Sequence, residues 1–429
     1  MLGRVDELPP VCRQHLRSLA FLAIVSRVVF GGLIALATSS LALFDTSPKL
    51  VLYDGLSPWI SSLLRWDAFH FVHVAQEGHV YEHEWAFFPG LALIMRSSAA
   101  FLSALGLHLP ALPRMLLGGA ILAVIFDSTR VLYVLSLHHL HSPSAAFVAA
   151  ALSLLPSSPA ALRYASYSEP FFTYFSYRGM LSCARDQWLV ASICFALAST
   201  FRSNGIFLCG FIIWGTLVKP FLSSERDVLT ASRMVYCTLL VAIPLVPFIH
   251  HNYKAYVLFC TTSPTDAPDW CRKSLCPMVY SHVQLKYWNI GFLRYWTLSN
   301  LPNFILALPV LLNVYTFCAF YLSRLPRIFP SFFALTRLKD GKNSPPTDSL
   351  FLDPTILPHV LYGLAMALLL TFNAHVQISL RVLPSMPITY WAAAHLLIDR
   401  PALGKAWVTW SVIWGALSCV LWATFLPPA

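Results

Sequence analysis

Charge is what this sequence has least of. Of 429 residues only 48 are Lys, Arg, Asp or Glu, or 11%, against roughly a quarter in an ordinary soluble domain. With 57% hydrophobic residues, too little polar surface remains to cover an apolar interior in water. A soluble enzyme, a disordered chain and a nucleic-acid-binding domain are thereby excluded. No long basic run occurs, and no Lys/Arg stripe with interleaved aromatics, although the formal net charge is +10. No CxxC pair and no HExxH spacing is present, so neither a zinc site nor any other resident metal or cofactor is expected. Most of the ten cysteines are single and lie in apolar stretches, as Cys194, Cys209, Cys318 and Cys419 do, where they serve as small core hydrophobes. No internal repeat or heptad pattern is visible.

What remains is apolar length. A spanning helix needs about 20 mainly apolar residues. Leu19–Leu43, Leu301–Ser323, Ile356–Phe372, Val382–Ile398 and Ala406–Leu426 offer it. Phe88–Leu107, Met115–Leu137, Trp188–Val218 and Val235–Ile249 are weaker, shorter or broken. The chain therefore reads as an all-α polytopic membrane protein of about nine to eleven crossings, forming a single integral domain over 1–429. Ala35-Leu36-Ala37 resembles a signal-peptidase site, but the apolar run continues past it, so an uncleaved anchor is expected. The path through 108–187 is open to more than one parity.

Orientation follows from Lys and Arg in short loops. Arg4, Arg13 and Arg17, the group Lys219, Arg226 and Arg233, and the basic residues of a loop at 324–355 are placed in the cytosol. The loops 45–85 and 250–300 then face the lumen. In the second, Cys260, Cys271 and Cys276 favour one disulfide, with Cys271–Cys276 slightly preferred.

The chemistry concentrates in few places. Arg65-Trp66-Asp67-Ala68-Phe69-His70-Phe71 reads as an interfacial helix with aromatics at headgroup depth. Asp67 and His70, at i and i+3, are candidates for a general base and a group that orients it or meets a phosphate. His73, His79, His83, Glu82 and Glu84 lack the spacing of a metal site. Polar residues inside apolar stretches are costly and default to function: Glu169, Arg202 with Asn204, and His375, Gln377 and Arg381. Asp127 and Arg130, also at i and i+3, are expected to pair with each other. In the second luminal loop Tyr287, Trp288 and Arg294 belong either to an interfacial aromatic belt or to a floor that stacks on sugar or isoprenoid.

RWDAFHF, AFFPG, YSEP, FRSNG, DWC, YWNIGFLRYW, LPNF, HVQISLR and PITYW occur in this order between Arg65 and Trp391. In that set and order the chain resembles the PIG-V family of GPI mannosyltransferases. The resemblance implies a GT-C fold with a catalytic acid in the first large luminal loop, and localisation in the endoplasmic reticulum membrane. It implies transfer of the second mannose, α-1,6-linked, from dolichyl-phosphate mannose to the GPI precursor glycolipid. A β-linked donor and an α-linked product make the reaction inverting, with Asp67 as base. Trp66, Arg202, Asn204, Tyr287, Trp288, Arg294, His375, Gln377 and Arg381 would contact substrate, and His70 and Glu169 would assist. A membrane transporter is the competing class, but the matching broken helices of inverted repeats are missing. A non-catalytic subunit of a lipid-glycosylation complex is another, and a small membrane partner subunit is a further expectation.

Overall fold

The computed structural model describes residues 9–44, 57–222, 230–261, 267–272, 277–328 and 349–426. Arg4, Arg226, Cys276, the start of the first loop and most of the basic loop at 324–355 lie outside them. Among the described residues the secondary structure is helical throughout. The main helices are α1 (Pro10–Ser40), α2 (Ala68–Glu77), α3 (Pro89–Ala104), α4 (Ala111–Ile125), α5 (Thr129–Leu140), α6 (Pro143–Leu152), α7 (Ser168–Ala184), α8 (Trp188–Ser199), α9 (Ala231–Tyr256), α10 (Val279–Trp288), α11 (Leu301–Leu322), α12 (Leu357–Phe372), α13 (Pro387–Asp399) and α14 (Pro401–Ala423). Proline marks the starts: α1, α3, α6, α13 and α14 each carry it in the first turn, where its missing N–H costs no helical hydrogen bond.

Helix α1 shows why the chain belongs in a bilayer. Cys12, Leu16, Leu19, Ala23, Phe30 and Ile34 are buried along one stripe. Phe21, Ile24, Val28 and Leu36, on the outer side, are each at least 60% exposed. Apolar residues on both faces need lipid as solvent. Seven helical stretches are long and apolar enough to cross a membrane, against the nine to eleven expected. The difference lies in pieces too short for that criterion. Pro143–Leu152 and Trp188–Ser199 are apolar but short, and the stretch between α6 and α7 is irregular apart from a π-helical turn at Ala160–Tyr164.

Close packing relies on small residues, as expected where no hydrophobic effect drives helix association. A Cβ at Gly118 would lie 2.3 Å from the Ser98 hydroxyl, and one at Gly179 would lie 2.2 Å from the Phe195 ring. These glycines let α4 approach α3 and α8 approach α7. A large continuous core results, with a smaller separate one around Trp85, Ala255, Trp270, Val279 and Val283. Beside that smaller core Cys260 is bonded to Cys271. The pairing corrects the preference for Cys271–Cys276: α9 and its π-helical extension carry Cys260 to the turn that presents Trp270.

A second correction concerns Asp127. It does not pair with Arg130 but with Arg27 at 2.7 Å and Arg163 at 3.3 Å. The reason is local. Asp127 stands in the break between α4 and α5 and accepts the backbone N–H of Thr129 at 2.9 Å, so the helical spacing to Arg130 does not exist.

Candidate active site

Asp67 occupies the N-cap position of α2 yet makes no capping hydrogen bond. An aspartate there ordinarily accepts from the first-turn amides. Instead its Oδ2 accepts from Arg381 Nη1 at 2.8 Å. Arg381 lies on a short helix, Ser379–Val382, beyond the end of α12. Its Nε and Nη2 both donate to Glu169 Oε1, at 2.8 and 2.6 Å. Glu169, in the first turn of α7 and 1% exposed, also accepts from Arg202 Nη1 at 2.6 Å and from the Ser168 hydroxyl at 3.2 Å. Two carboxylates and two guanidiniums thus alternate in one chain, Asp67–Arg381–Glu169–Arg202. Full pairing is what lets four charges stand in an apolar surrounding.

Beneath the chain the Arg381 guanidinium sits 5.1 Å from the centre of the Tyr167 ring, and the Tyr167 hydroxyl donates to the Arg65 carbonyl at 2.7 Å. Arg65 is itself buried and donates to the carbonyls of Ser61, Leu64 and Ala423. Trp66 between them has φ = 53°, a left-handed conformation unusual for a bulky residue. Its ring packs at a tilt on Phe425, ring centres 5.3 Å apart. The backbone that presents Asp67 is therefore tied to the end of α14.

The charged chain borders a cavity of about 760 Å³. Asp67, Arg202, Asn204, Trp288, His375, Gln377 and Arg381 all line it, although they come from four separated segments of the sequence. Glu169 stands behind them, through the arginines. His375 Nε2 donates to the Trp288 carbonyl at 2.7 Å, and its ring stacks on Tyr295. In the neutral ring this leaves Nδ1 as an acceptor. Gln377 accepts from the Tyr295 hydroxyl at 2.6 Å. An apolar side is built by Phe201, Met366, Leu369 and Leu370.

Four expected contact residues are placed elsewhere. Trp66 packs on Phe425. His70 stacks on Phe87, with centres 4.7 Å apart, and touches His83. Burial holds the His70 imidazole below its usual pKa, Asp67 pulling it up and His83 pushing it down again. Tyr287 donates to Glu82 at 2.8 Å, and Arg294 donates to Asn289 at 3.1 Å. The histidines and acids of 73–84 have partners as well: His73 pairs with Glu84, His79 Nε2 donates to the Phe87 carbonyl, and Glu82 takes Trp270 and Lys286. Among the described residues no three His, Cys, Asp or Glu side chains converge on a metal position.

Sequence reasoning missed Ser168, Tyr280, Ser281, Gln284 and Asn373, which also line the cavity. One signal was available: Tyr280, Gln284 and Trp288 recur at i, i+4 and i+8, the cavity-facing stripe of α10.

A large cavity with an apolar side, a solvent-reachable carboxylate and an arginine network, set in an all-α membrane protein, suits an enzyme that joins a sugar to a lipid-borne acceptor. The family model described as Mannosyltransferase (PIG-V) matches residues 15–429. The chain is 35% identical to GPI mannosyltransferase 2 of Cryptococcus neoformans over 435 residues, covering 95% of this chain and 97% of that protein. It is 33% identical to GPI alpha-1,6-mannosyltransferase 2 of Mus musculus and 31% identical to that of Homo sapiens, each comparison covering 82% of this chain and 76% of the relative. The protein is a membrane glycosyltransferase. It belongs to the PIG-V mannosyltransferase family.

Proposed function

We propose that this protein adds the second mannose, α-1,6-linked, to the GPI precursor on the luminal side of the endoplasmic reticulum membrane, with dolichyl-phosphate mannose as donor. The names of the relatives carry the acceptor and linkage. The observation that carries the chemistry is Arg381 bridging Asp67 and Glu169 at the edge of the large cavity.

The reaction balances as one inverting displacement. The acceptor hydroxyl attacks the anomeric carbon, the bond from that carbon to the phosphate oxygen breaks, and dolichyl phosphate leaves. Asp67 takes the hydroxyl proton. The donor is a phosphodiester with one negative charge, and the leaving monoester gains a second. Protonation of Asp67 removes one of Arg381's two anionic partners at the moment that charge develops. Arg381 then serves the leaving phosphate, and Arg202 beside it shares the load. Glu169 keeps both guanidiniums in place. Asn204, Gln377 and His375 offer hydrogen bonds to sugar hydroxyls, Trp288 offers a stacking face, and the Met366–Leu370 side accommodates the first isoprene units. His70, outside the cavity lining, supports the α2 segment rather than the phosphate.

The test is transfer of radiolabelled mannose to the one-mannose precursor in membranes expressing Asp67→Asn. A lost general base costs about 10²–10⁴ in rate, while donor binding survives. Near-normal turnover removes Asp67 as base. Glycosylation acceptors inserted near Gly55 and near Asn343, both outside the described residues, check the sidedness: the first is modified and the second is not.

A further inference from the structure

A second cavity, of about 80 Å³, lies at the other end of α7. Ser168 borders the large cavity and Cys183 borders this one, which sets them roughly 22 Å apart at 1.5 Å per residue. Its inner residues are His139 and His359, 3% and 2% exposed. Its walls include Trp188, Phe211 and Trp214, and its rim carries the exposed Asp186 and Lys219.

The inner residues form a hydrogen-bond chain whose direction is fixed at one end. Asp353 Oδ1 accepts the Thr355 hydroxyl at 2.5 Å. With that proton used, Thr355 Oγ1 accepts from His139 Nδ1 at 2.7 Å. A neutral His139 then has only a lone pair on Nε2, so the contact to His359 at 3.2 Å is donated by His359 Nε2. His359 is left with a lone pair on Nδ1, which is buried and has no partner in the protein. The chain ends in an unmet acceptor on a residue that lines the cavity. An occupant that satisfies it must bring an N–H or O–H.

The remaining features narrow the donor. Two tryptophans and a phenylalanine in its walls favour a cation. One acid and one base at the rim favour a headgroup that carries both signs. The surface on α8 beside Trp188 is apolar and outward-facing: Leu189, Val190 and Ile193 are 57%, 45% and 47% exposed. Acyl chains have a place to lie there. We propose that this cavity binds the headgroup of phosphatidylethanolamine, with its ammonium donating to His359 Nδ1, its phosphate at Lys219 and its acyl chains along α8. Phosphatidylcholine offers a similar charge pattern but no N–H for Nδ1, and phosphatidylglycerol offers no cation.

The experiment uses purified full-length protein in detergent, stripped of lipid and then supplied with phosphatidylethanolamine, phosphatidylcholine or phosphatidylglycerol of matched chains. Native mass spectrometry reads retention, and thermal unfolding reads stabilisation. Phosphatidylethanolamine is expected to be retained about tenfold better than phosphatidylcholine, the effect of roughly one hydrogen bond, and to raise the unfolding midpoint most. His359→Phe keeps a ring but removes the acceptor and should abolish the preference. Gly215→Ala should do so by another route, since a Cβ there would come 2.0 Å from the Trp188 ring, and both residues line the cavity, so its wall must shift. Mannose transfer by both variants reports that they fold. Equal retention of the three lipids by the unaltered protein overturns the proposal even if neither variant folds. So does an undiminished preference in His359→Phe, or equal stabilisation by free phosphoethanolamine.

Discussion

Among the described residues two arginine–carboxylate clusters sit in the apolar body, and they differ in what surrounds them. Asp127 holds Arg27 and Arg163, with side-chain exposures of 16%, 12% and 6%. One Nη2 of each arginine also reaches a helix carbonyl, Arg27 that of Ala123 and Arg163 that of Ala23. A cavity of about 20 Å³ lies beside Arg163, room for little more than a water molecule. The other cluster also binds arginine to carboxylate, but it borders 760 Å³ of cavity, and its Asp67 side chain is 33% exposed. Buried charge alone does not mark a catalytic centre. A charge network with one member open to a ligand-sized space is the stronger candidate.

The comparison breaks first at Asp67. Asp67→Asn should lower mannose transfer by about 10²–10⁴ with little change in the thermal unfolding midpoint, because the amide retains one hydrogen bond to Arg381. Glu169→Gln should cost less rate and more stability, since it leaves two buried guanidiniums one carboxylate short. Asp127→Asn inverts the pattern: removing the shared acid of a buried cluster destabilises by about 3–5 kcal/mol, while the protein that still folds transfers mannose at the normal rate per molecule. Folded-fraction assays beside turnover assays separate the two. A rate collapse in Asp127→Asn at full folded yield would erase the distinction between the clusters.

Much of this was legible in the sequence, for reasons specific to each part. The membrane class follows from scarce charge. Glu169, Arg202 and Arg381 stand out because an ionisable residue in an apolar stretch needs a partner. That these three share one network with Asp67 was not legible, since Asp67 and Arg381 are joined only by tertiary packing. The place of Trp66 was not legible, because its left-handed backbone sends the ring to Phe425. Asp127 misled through helical spacing, applied across a helix break. Tyr280 and Gln284 were hidden in a segment whose aromatic residues fit an interfacial belt as readily as a substrate floor.

A smaller effect sharpens the contrast outside the helical body. The Cys260–Cys271 bond closes a short loop beside the small core of Trp85 and Trp270. Replacing both cysteines with serine should destabilise by about 2–3 kcal/mol. Alkylation in native membranes should leave these two thiols unlabelled until reductant is added. Labelling of either without reductant would refute the pairing.

The smallest effect concerns Glu82, an ion cluster at the surface rather than in the interior. Its Oε2 accepts from Lys286 at 2.7 Å and from Tyr287 at 2.8 Å, and its Oε1 from Trp270 at 2.9 Å. Burial by itself raises the Glu82 pKa, but the bonds from Lys286, Tyr287 and Trp270 outweigh it and hold the carboxyl below its usual value. A carboxyl depressed in the folded state contributes stability that is fully present above its unfolded pKa, about 4.3, and is lost as pH falls through the folded value. His70 and His79, both lowered chiefly by burial, act in an earlier window. Each is favoured neutral in the folded protein, so stability declines as pH falls below about 6.5. The unfolding midpoint of the detergent-solubilised protein should therefore drop in two stages on acidification. Glu82→Gln should flatten only the lower stage, below about pH 4.3, and by about 1 kcal/mol at most, as befits a partly exposed pair. It should leave mannose transfer at neutral pH nearly unchanged, because Glu82 is absent from the cavity lining. A Glu82→Gln midpoint that matches the unaltered protein at neutral pH and falls as steeply through the lower stage would show that the bonds from Lys286 and Tyr287 add nothing to folding.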